Sequence, residues 1–240
     1  MAHPIIELVG VSKRFGAVTA IDDLSFSLAP GEALGIFGPN GAGKTTTLNL
    51  IAGDYRPSRG RIFLAGSDIT VQSGHYRCRA GIGRTSQVPR PFERLTVFEN
   101  ALVGASFGAR RHRQAAVEGC TRALRRAGVI HLAEVRAGEL SLLERKRLEL
   151  ARALAADPAV LLLDDLADGL TESEIHELVD TVRAIHAEGM SIIWIEHVVH
   201  VLLRNVDRML AMDDGHKVIE GDPREVMASA EIRDLYLGAE

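Results

Sequence analysis

Short apolar segments separated by polar turns predict β-strands in the first and last parts of the chain. Residues 33–37, 160–163 and 192–195 are apolar, which is typical of strands buried on both faces of a parallel sheet. Residues 21–28 instead alternate between apolar and polar side chains. With the largely apolar run at 5–10, they predict an antiparallel pair that has one face in solvent. The pattern therefore indicates an α/β protein with a parallel core and an antiparallel portion.

Residues 95–157 have a different character, since they are rich in Ala, Leu and Arg and show no strand-like alternation. They are predicted to form several helices. Ser141 and Glu144 fit a capping box at the start of the last of these helices, and residues 145–147 are expected to face water. Asp157, which precedes a proline, is predicted to end that helix.

The length and composition fit one domain that spans the whole chain. We place its core in residues 1–88 and 158–240 and a helical subdomain in residues 89–157. Hydrophobic residues make up 46% of the chain, which is ordinary for a globular protein, and no apolar run approaches the length of a membrane span. The net charge of −4 argues against non-specific nucleic-acid binding as the main task. Cys78 and Cys120 are predicted to be reduced thiols of a cytoplasmic protein.

A glycine-rich turn at residues 38–45 follows the first buried strand and precedes residues 46–53, which are predicted to be helical. A strand, such a turn and a helix in this order form an anion cradle, because the backbone N–H groups of the turn and the positive end of the helix dipole point the same way. The turn can also merely begin a helix. The residues at its end favour a nucleoside triphosphate, with Lys44 on the β- and γ-phosphates and Thr45 on Mg²⁺. The candidate nucleotide-binding residues are Gly38, Asn40, Gly41, Gly43, Lys44, Thr45 and Thr46.

Two acidic residues, Asp164 and Asp165, end the buried strand at 160–163. In open parallel sheets, ligands bind beyond the carboxyl ends of the strands. Two adjacent acids can simply cap the following turn, but beside a phosphate cradle they indicate chemistry with Mg²⁺ and water. Asp164 would then hold the metal, and Asp165 would orient or deprotonate the attacking water.

Four further residues have both a structural and a functional interpretation. Gln87 follows a short strand, where a lone Gln is usually a surface residue. His197 follows the strand at 192–195 and is a candidate γ-phosphate contact, although a single His is more often structural. Phe15 belongs to residues 13–16, which are expected to lie between the first two predicted strands, and is either core filler or a ring that stacks on adenine. The capping role of Ser141 is complete without any function, yet an exposed helix N-terminus also binds phosphate.

Taken in chain order, these motifs resemble the ATP-binding subunits of ABC transporters over nearly the whole chain. The order is an aromatic residue near position 15, the Walker A loop, Gln87, a helical insert with a signature sequence, Walker B and a switch histidine. Within the family, the chain looks most like subunits of importers for branched-chain and other hydrophobic amino acids. The stretches that carry this likeness are Gly83-Arg84-Thr85, residues 95–100, Ile195-Glu196-His197 and residues 236–238.

The resemblance implies a P-loop NTPase fold with a RecA-like, mostly parallel sheet core, an antiparallel β subdomain and an inserted helical subdomain. Two such domains would bind two ATP molecules head to tail, each between the Walker A loop of one subunit and the signature helix of the other. Closure and hydrolysis would drive two transmembrane permease subunits, contacted near Gln87, at the cytoplasmic face of the inner membrane. A periplasmic solute-binding protein would act indirectly, and no nucleic acid would take part.

The resemblance also implies roles for individual residues. Phe15 would stack on adenine, Ser141 would contact the ATP of the partner subunit, and His197 would sense the γ-phosphate. The implied catalytic residues are Asp165, His197 and Gln87, and the implied Mg²⁺ ligands are Thr45, Gln87 and Asp164.

Three departures from the family pattern bear on hydrolysis. The family signature is Leu-Ser-Gly-Gly-Gln, whereas residues 140–144 read Leu-Ser-Leu-Leu-Glu, so bulky side chains replace two glycines and an acid is added where an anion docks. The residue after the Walker B aspartate is usually Glu, but here it is Asp165, which is one methylene shorter. A misplacement of about 1 Å can cost on the order of a hundredfold in rate. Thr171 replaces the usual acid or amide in the loop that links the two sites.

The resemblance favours a heterodimer, because importers of this type pair two different ATPase subunits. In a heterodimer, Asp165 and the altered signature would act in different ATP sites. A homodimer would combine both in each site and should hydrolyse ATP slowly. Two alternatives stay open: a nucleotide-binding regulatory subunit that hardly hydrolyses ATP, and the ATPase of a lipid or lipopolysaccharide exporter. An ATPase that works on nucleic acid or ribosomes is disfavoured, because such proteins usually carry two copies of the domain, coiled coils or basic arms.

Overall fold

The computed structural model describes residues 3–109 and 113–237, so Gly238 of the C-terminal motif lies outside the described ranges. Its strands are β1 (Ile6–Phe15), β2 (Val18–Leu28), β3 (Ala33–Phe37), β4 (Arg59–Leu64), β5 (Ser67–Asp68), β6 (Ile82–Arg84), β7 (Val160–Asp164), β8 (Ser191–Ile195), β9 (Arg208–Asp213) and β10 (His216–Gly221). Its α-helices are α1 (Lys44–Ala52), α2 (Gly74–Arg79), α3 (Val97–Val103), α4 (Arg113–Arg126), α5 (Leu142–Ala155), α6 (Glu172–Ala187), α7 (Val199–Leu203), α8 (Pro223–Ala228) and α9 (Ala230–Leu237). A π-helical turn spans Gly104–Gly108, and 3₁₀ turns span Ile130–Leu132 and Ala137–Glu139.

The chain divides into two compact units. The first unit combines Met1–Ser73 with Ser191–Glu240, and the second unit is Gly74–Met190. The division expected from sequence, with a helical subdomain at 89–157, stays a prediction. Among the helices of the described ranges, none is both long enough and apolar enough to cross a bilayer.

In the first unit, β3 lies between β8 and β9 and runs parallel to both, while β10 pairs antiparallel with β9. Every residue of β3 and β8 is buried, as their continuous apolar pattern predicts. Because β3 and β8 are parallel, their carboxyl ends meet at one edge of the sheet. The glycine-rich turn after β3 therefore lies at the same edge as Glu196 and His197, which follow β8.

An antiparallel sheet in the same unit contains β2, β1, β4 and β5 in that order. The pairing of Phe15 with Val18 makes β1 and β2 a hairpin with a two-residue turn. Gly16 in this turn has a φ of 59°, which glycine adopts without strain. The expectation that residues 13–15 lie between two shorter strands is therefore wrong. These residues belong to β1, because the two-residue turn lets the pairing of β1 with β2 continue as far as Phe15.

The second unit contains the predicted helices and the parallel pair of β6 and β7. Helices α3, α4 and α5 pack around a core that includes Ala101, Leu124 and Leu148, all fully buried. Thr85, which follows β6, donates its backbone N–H to the carbonyl oxygen of Leu162 at 3.0 Å and so continues the pairing with β7. The parallel strands, the antiparallel sheet and the group of helices confirm the predicted fold class.

Candidate functional site

Two glycines, Gly38 and Gly43, shape the glycine-rich turn of the first unit, because a side chain at either position would collide with neighbouring atoms. Gly38 has a φ of 148°, and a Cβ atom there would collide with the carbonyl oxygen of Met212. Gly43 has a φ of 98°, and its Cβ would lie 2.5 Å from Ile21 Cδ1. Gly43 is also the N-cap of α1, so this position offers no side-chain oxygen to the first-turn N–H groups. A helix that begins in this way leaves its positive end for an anion.

The ammonium group of Lys44 lies inside this turn. Its Nζ donates hydrogen bonds to the carbonyl oxygens of Gly38 (2.7 Å) and Pro39 (2.9 Å), and the residue is only 5% exposed. Burial of an ammonium group is unfavourable unless such bonds compensate it. The ammonium group of Lys44 therefore lies beside the backbone of the turn. Phosphate oxygens bound there would contact both this charge and the backbone N–H groups.

The threonines at the start of α1 differ in exposure. Thr47 is fully buried and donates its hydroxyl to the carbonyl oxygen of Gly43 at 3.1 Å. Thr46 is half-buried, and Thr45 is exposed, as are Asn40 and Gly41 in the turn. Of the three hydroxyls, that of Thr45 is thus the most accessible to a ligand.

The end of β8 brings His197 to the same edge as the turn, and His197 is exposed there. Glu196 before it is buried and accepts a hydrogen bond from the indole Nε1 of Trp194 at 3.0 Å. Sequence reasoning missed this buried acid, and its position at a strand end was the only signal available.

Phe15 is 42% exposed, so the alternative that it fills the core is wrong. Its ring meets that of Tyr55 edge to face, with centroids 5.1 Å apart. The Nζ of Lys13 lies 4.8 Å from the centroid of Phe15 and 5.5 Å from that of Tyr55. Stacking of Phe15 on adenine stays a prediction, and Tyr55 is a neighbour of that surface that the sequence did not indicate.

In the second unit, both acids at the end of β7 are buried. Asp164 is 1% exposed, and its Oδ2 lies 3.3 Å from Nη2 of Arg84 at the end of β6. Asp165 is 2% exposed and has a φ of 46°, which is uncommon for a residue with a side chain. Gln87 is exposed and follows β6, whose carboxyl end lies beside that of β7. The sheet register therefore brings Gln87 and the two acids to one edge.

The capping box predicted at the start of α5 is confirmed. Glu144 donates its N–H to Ser141 Oγ at 3.4 Å, and its carboxylate accepts from the N–H of Ser141 at 2.8 Å. The acid that replaces the family's glutamine is thus part of the helix cap. Leu142, another departure, packs on Gly169, since a Cβ at Gly169 would lie 3.0 Å from Leu142 Cδ2. The side chain of Ser141 stays at an exposed helix start.

Thr171, the third departure, caps α6 in the same manner. Glu174 donates its N–H to Thr171 Oγ1 at 3.4 Å and accepts from the N–H of Thr171 at 2.8 Å. The bonds from the backbone and side chain of Thr171 hold the pKa of Glu174 below its ordinary value. A helix cap is therefore a sufficient structural reason for a threonine at this position.

The expectation that residues 145–147 face water is wrong for Lys146. This residue is 3% exposed, and its Nζ donates to the backbone carbonyl oxygen of Asp165 at 3.2 Å. Arg145 and Arg147 are only partly exposed, and they bind the carbonyl oxygen of Leu140 and the carboxylate of Glu177, respectively. Lys146 does not face water because its hydrogen bond to Asp165, which is distant in sequence, compensates the burial of its charge.

Oxygen donors suited to Mg²⁺ occur in both units. In the described ranges, no group of three or more His, Cys, Asp or Glu side chains forms a metal cluster. Mg²⁺ in nucleotide sites needs few protein ligands, because it keeps waters and binds phosphate oxygens. Each unit by itself thus offers an oxygen that suits Mg²⁺: the hydroxyl of the exposed Thr45 in the first unit, and the carboxylate of Asp164 in the second.

The sequence is similar to a known family and to solved structures. The family model described as ABC transporter matches residues 21–167. A probable ABC transporter ATP-binding protein of Azorhizobium caulinodans is 35% identical, over 96% of this chain and 82% of the relative. The high-affinity branched-chain amino acid transport ATP-binding protein LivG of Escherichia coli K12 is 31% identical, over 99% of both chains.

A solved ATP-binding cassette of an ABC transporter, in its ADP conformation, superimposes with a TM-score of 0.88. It is 28% identical, and the match covers 98% of this chain and 99% of the other. The likeness thus holds in the sequence, in the three-dimensional fold and over almost the full length. On these grounds, the chain belongs to the ABC transporter family, as an ATP-binding cassette with the ATPase activity expected of that family.

Proposed function

We propose that the chain powers an importer of branched-chain or related hydrophobic amino acids from the cytoplasmic face of the inner membrane. As an ABC ATPase it dimerises and works with membrane permease subunits. The observation that carries the amino-acid assignment is its 31% identity to LivG of Escherichia coli over 99% of both chains. In the proposed complex, two permease subunits take their solute from a periplasmic binding protein, and a second, different ATPase subunit completes the dimer.

The first unit supplies the binding part of the proposed mechanism. The backbone N–H groups after Gly38, Asn40, Gly41 and Gly43 would surround the phosphates, and the start of α1 would add its dipole. Lys44, already hydrogen-bonded inside the turn, would exchange carbonyl oxygens for the β- and γ-phosphate oxygens. Thr46 would add a hydrogen bond at the helix start, and Phe15 would stack on adenine.

The residues at the strand ends supply the proposed hydrolytic part. Asp165 would orient or deprotonate the attacking water, Gln87 would help to place that water, and His197 would donate a hydrogen bond to the charge that develops on the γ-phosphate. Thr45, Gln87 and Asp164 would hold Mg²⁺, which when bound supplies charge neutralisation on the phosphates. Ser141 of one subunit would contact the ATP of the other through its exposed helix start.

A second candidate function is a regulatory subunit that binds ATP but hardly hydrolyses it. Asp165 favours it, because this acid is short, 2% exposed and fixed in an uncommon backbone conformation. Asp165→Asn distinguishes the two functions. If Asn leaves the turnover unchanged, Asp165 is not the base and the regulatory function is preferred; a strong loss supports the hydrolytic one.

Uptake of labelled leucine, isoleucine and valine by the native organism tests the proposed function. A strain that carries Lys44→Ala, with the protein present at its normal level, is expected to lose this uptake. Arg183→Gln, which changes an exposed ion pair with Asp180, is the matched control and should leave uptake intact. Normal amino-acid uptake in the Lys44→Ala strain would overturn the assignment, and a simultaneous defect in lipid export would favour the exporter alternative.

A further inference from the structure

We infer that Lys146 is a positioning residue, which holds the backbone of Asp165 and ties it to the helix that begins at Ser141. The inference rests on the proposed role of Asp165 in hydrolysis and assigns a new residue to it. Lys146 lies in the second turn of α5, and its Nζ donates to the carbonyl oxygen of Asp165 at 3.2 Å. The contact lies wholly within the second unit.

The burial of Lys146 indicates that its contact with Asp165 is needed to compensate the charge of the lysine. Lysine is almost never fully buried without a partner, because its ammonium group loses hydration. At 3% exposure, the side chain of Lys146 therefore depends on its hydrogen bonds inside the protein. A bond from a charged donor to a carbonyl oxygen is also stronger than one between neutral groups.

The residue that receives this bond has a strained backbone. Asp165 has a φ of 46°, a conformation that persists for a non-glycine residue only where the surroundings hold it. Its carbonyl oxygen accepts from Lys146 and, more weakly, from the N–H of Asp168 at 3.4 Å. Because the carboxylate of Asp165 is fixed to this backbone, a rotation of the peptide would displace the acid that the proposed mechanism needs.

A second contact joins α5 to the loop after Asp165. Leu142 packs on Gly169, which has a φ of 76° and little room for any side chain. The first two turns of α5 therefore contact this loop at two points, one through Lys146 and one through Leu142. Ser141, at the start of the same helix, is proposed to contact the partner's ATP. Lys146 would thus connect the helix that serves one ATP site with the acid that serves the other.

Kinetics of the full-length chain test this positioning role. Lys146→Met keeps the length of the side chain but removes its donor, and we expect kcat for ATP hydrolysis to fall roughly tenfold to a hundredfold. The KM for ATP should change less than about twofold, because the binding turn is untouched. Lys146→Arg, which keeps a cationic donor, should retain kcat within about threefold of the wild type. Arg147→Met, the neighbouring charge deletion, should leave kcat unchanged.

A double variant separates this inference from the proposed role of Asp165. If Lys146 acts through Asp165, Lys146→Met should cost little further rate in an Asp165→Asn background. If Asp165→Asn alone leaves kcat unchanged, the proposed role of Asp165 is wrong. If Asp165→Asn strongly lowers kcat while Lys146→Met does not change it, only the proposed role of Lys146 is wrong. Should Lys146→Met not fold, Lys146→Ala replaces it with the same expected results.

Discussion

Arg84 and Asp164 form an ion pair, in which Nη2 of the arginine lies 3.3 Å from Oδ2 of the aspartate. The aspartate is 1% exposed and ends β7, and the arginine ends the neighbouring strand β6. The carboxylate that is proposed to hold Mg²⁺ is thus already matched by a cation in the chain itself. Loss of one partner from such a buried pair costs far more than loss of a surface pair.

Arg84→Met is expected to lower the free energy of unfolding by about 3 kcal/mol, because it leaves the buried carboxylate of Asp164 without this cation. Arg183→Met removes the same charge from an exposed pair with Asp180 and should cost less than about 1 kcal/mol. Urea unfolding of the two variants measures both values. Equal losses would show that the Arg84 pair contributes no more than a surface contact.

A comparison of two helix caps distinguishes the structural role of Ser141 from its proposed contact with ATP. Ser141→Ala and Thr96→Ala each remove the N-cap of a capping box, at the start of α5 and α3, and each should lower stability by about 1 kcal/mol. Only Ser141→Ala is expected to reduce ATP hydrolysis as well. Thermal unfolding measures the stability of both variants, and an ATPase assay measures their rates of hydrolysis. Equal rates of hydrolysis in both variants would show that Ser141 acts only as a helix cap.

Two glycines of the phosphate turn make a matched steric test. Both Gly41 and Gly43 have positive φ values, 86° and 98°. A Cβ at Gly43 would lie 2.7 Å from the backbone carbonyl oxygen of Ala20 and 2.5 Å from Ile21 Cδ1, whereas one at Gly41 meets no atom within 4 Å. Gly43→Ala should therefore weaken ATP binding by roughly tenfold or more beyond Gly41→Ala, through distortion of the turn. Calorimetric titration with ATP measures this difference, and similar affinities would contradict the geometry.

The two cysteines should differ in reactivity toward thiol reagents. Burial raises the pKa of the Cys120 thiol to about 11, so near pH 8 it is protonated and unreactive. Burial also raises the pKa of Cys78, but the charge of Arg79 opposes this, and the residue is half-buried. We expect Cys78 to react first in the native chain, and Cys120 to react only as the pH rises toward 11 or after unfolding. Loss of the native reaction in Cys78→Ser is the control; rapid labelling of Cys120 near pH 8 would contradict the burial.

The sequence predicted those features that local pattern determines. The buried strands, the helix start at Ser141 and the glycine-rich turn follow from periodicity and from the chemistry of a few adjacent residues. Phe15 was misplaced because strand length near a hairpin depends on the turn that joins the strands. The correct predictions and the error at Phe15 thus all concern residues that are close together in the chain.

Contacts between distant residues could not be predicted. The pair of Arg84 with Asp164 depends on the register of two parallel strands, which the pattern of either strand leaves open. Lys146 was expected to face water because lysine usually does. Its burial follows from the backbone of Asp165, which lies 19 positions further along. Arg84 and Lys146 are thus both cations that contact an aspartate from another part of the chain.

The rate of ATP hydrolysis should be measured for this chain alone and for the complex isolated from its native membrane, in each case per copy of this chain. We expect weak hydrolysis by the isolated chain and a marked rise in the complex, which should contain permease subunits and a second, different ATPase subunit. Asp165→Asn in this chain should remove the part of the rise that its own ATP site contributes. Full activity of the isolated chain, or a complex whose only ATPase is this chain, would contradict a role for the chain as one half of a heterodimeric transport ATPase.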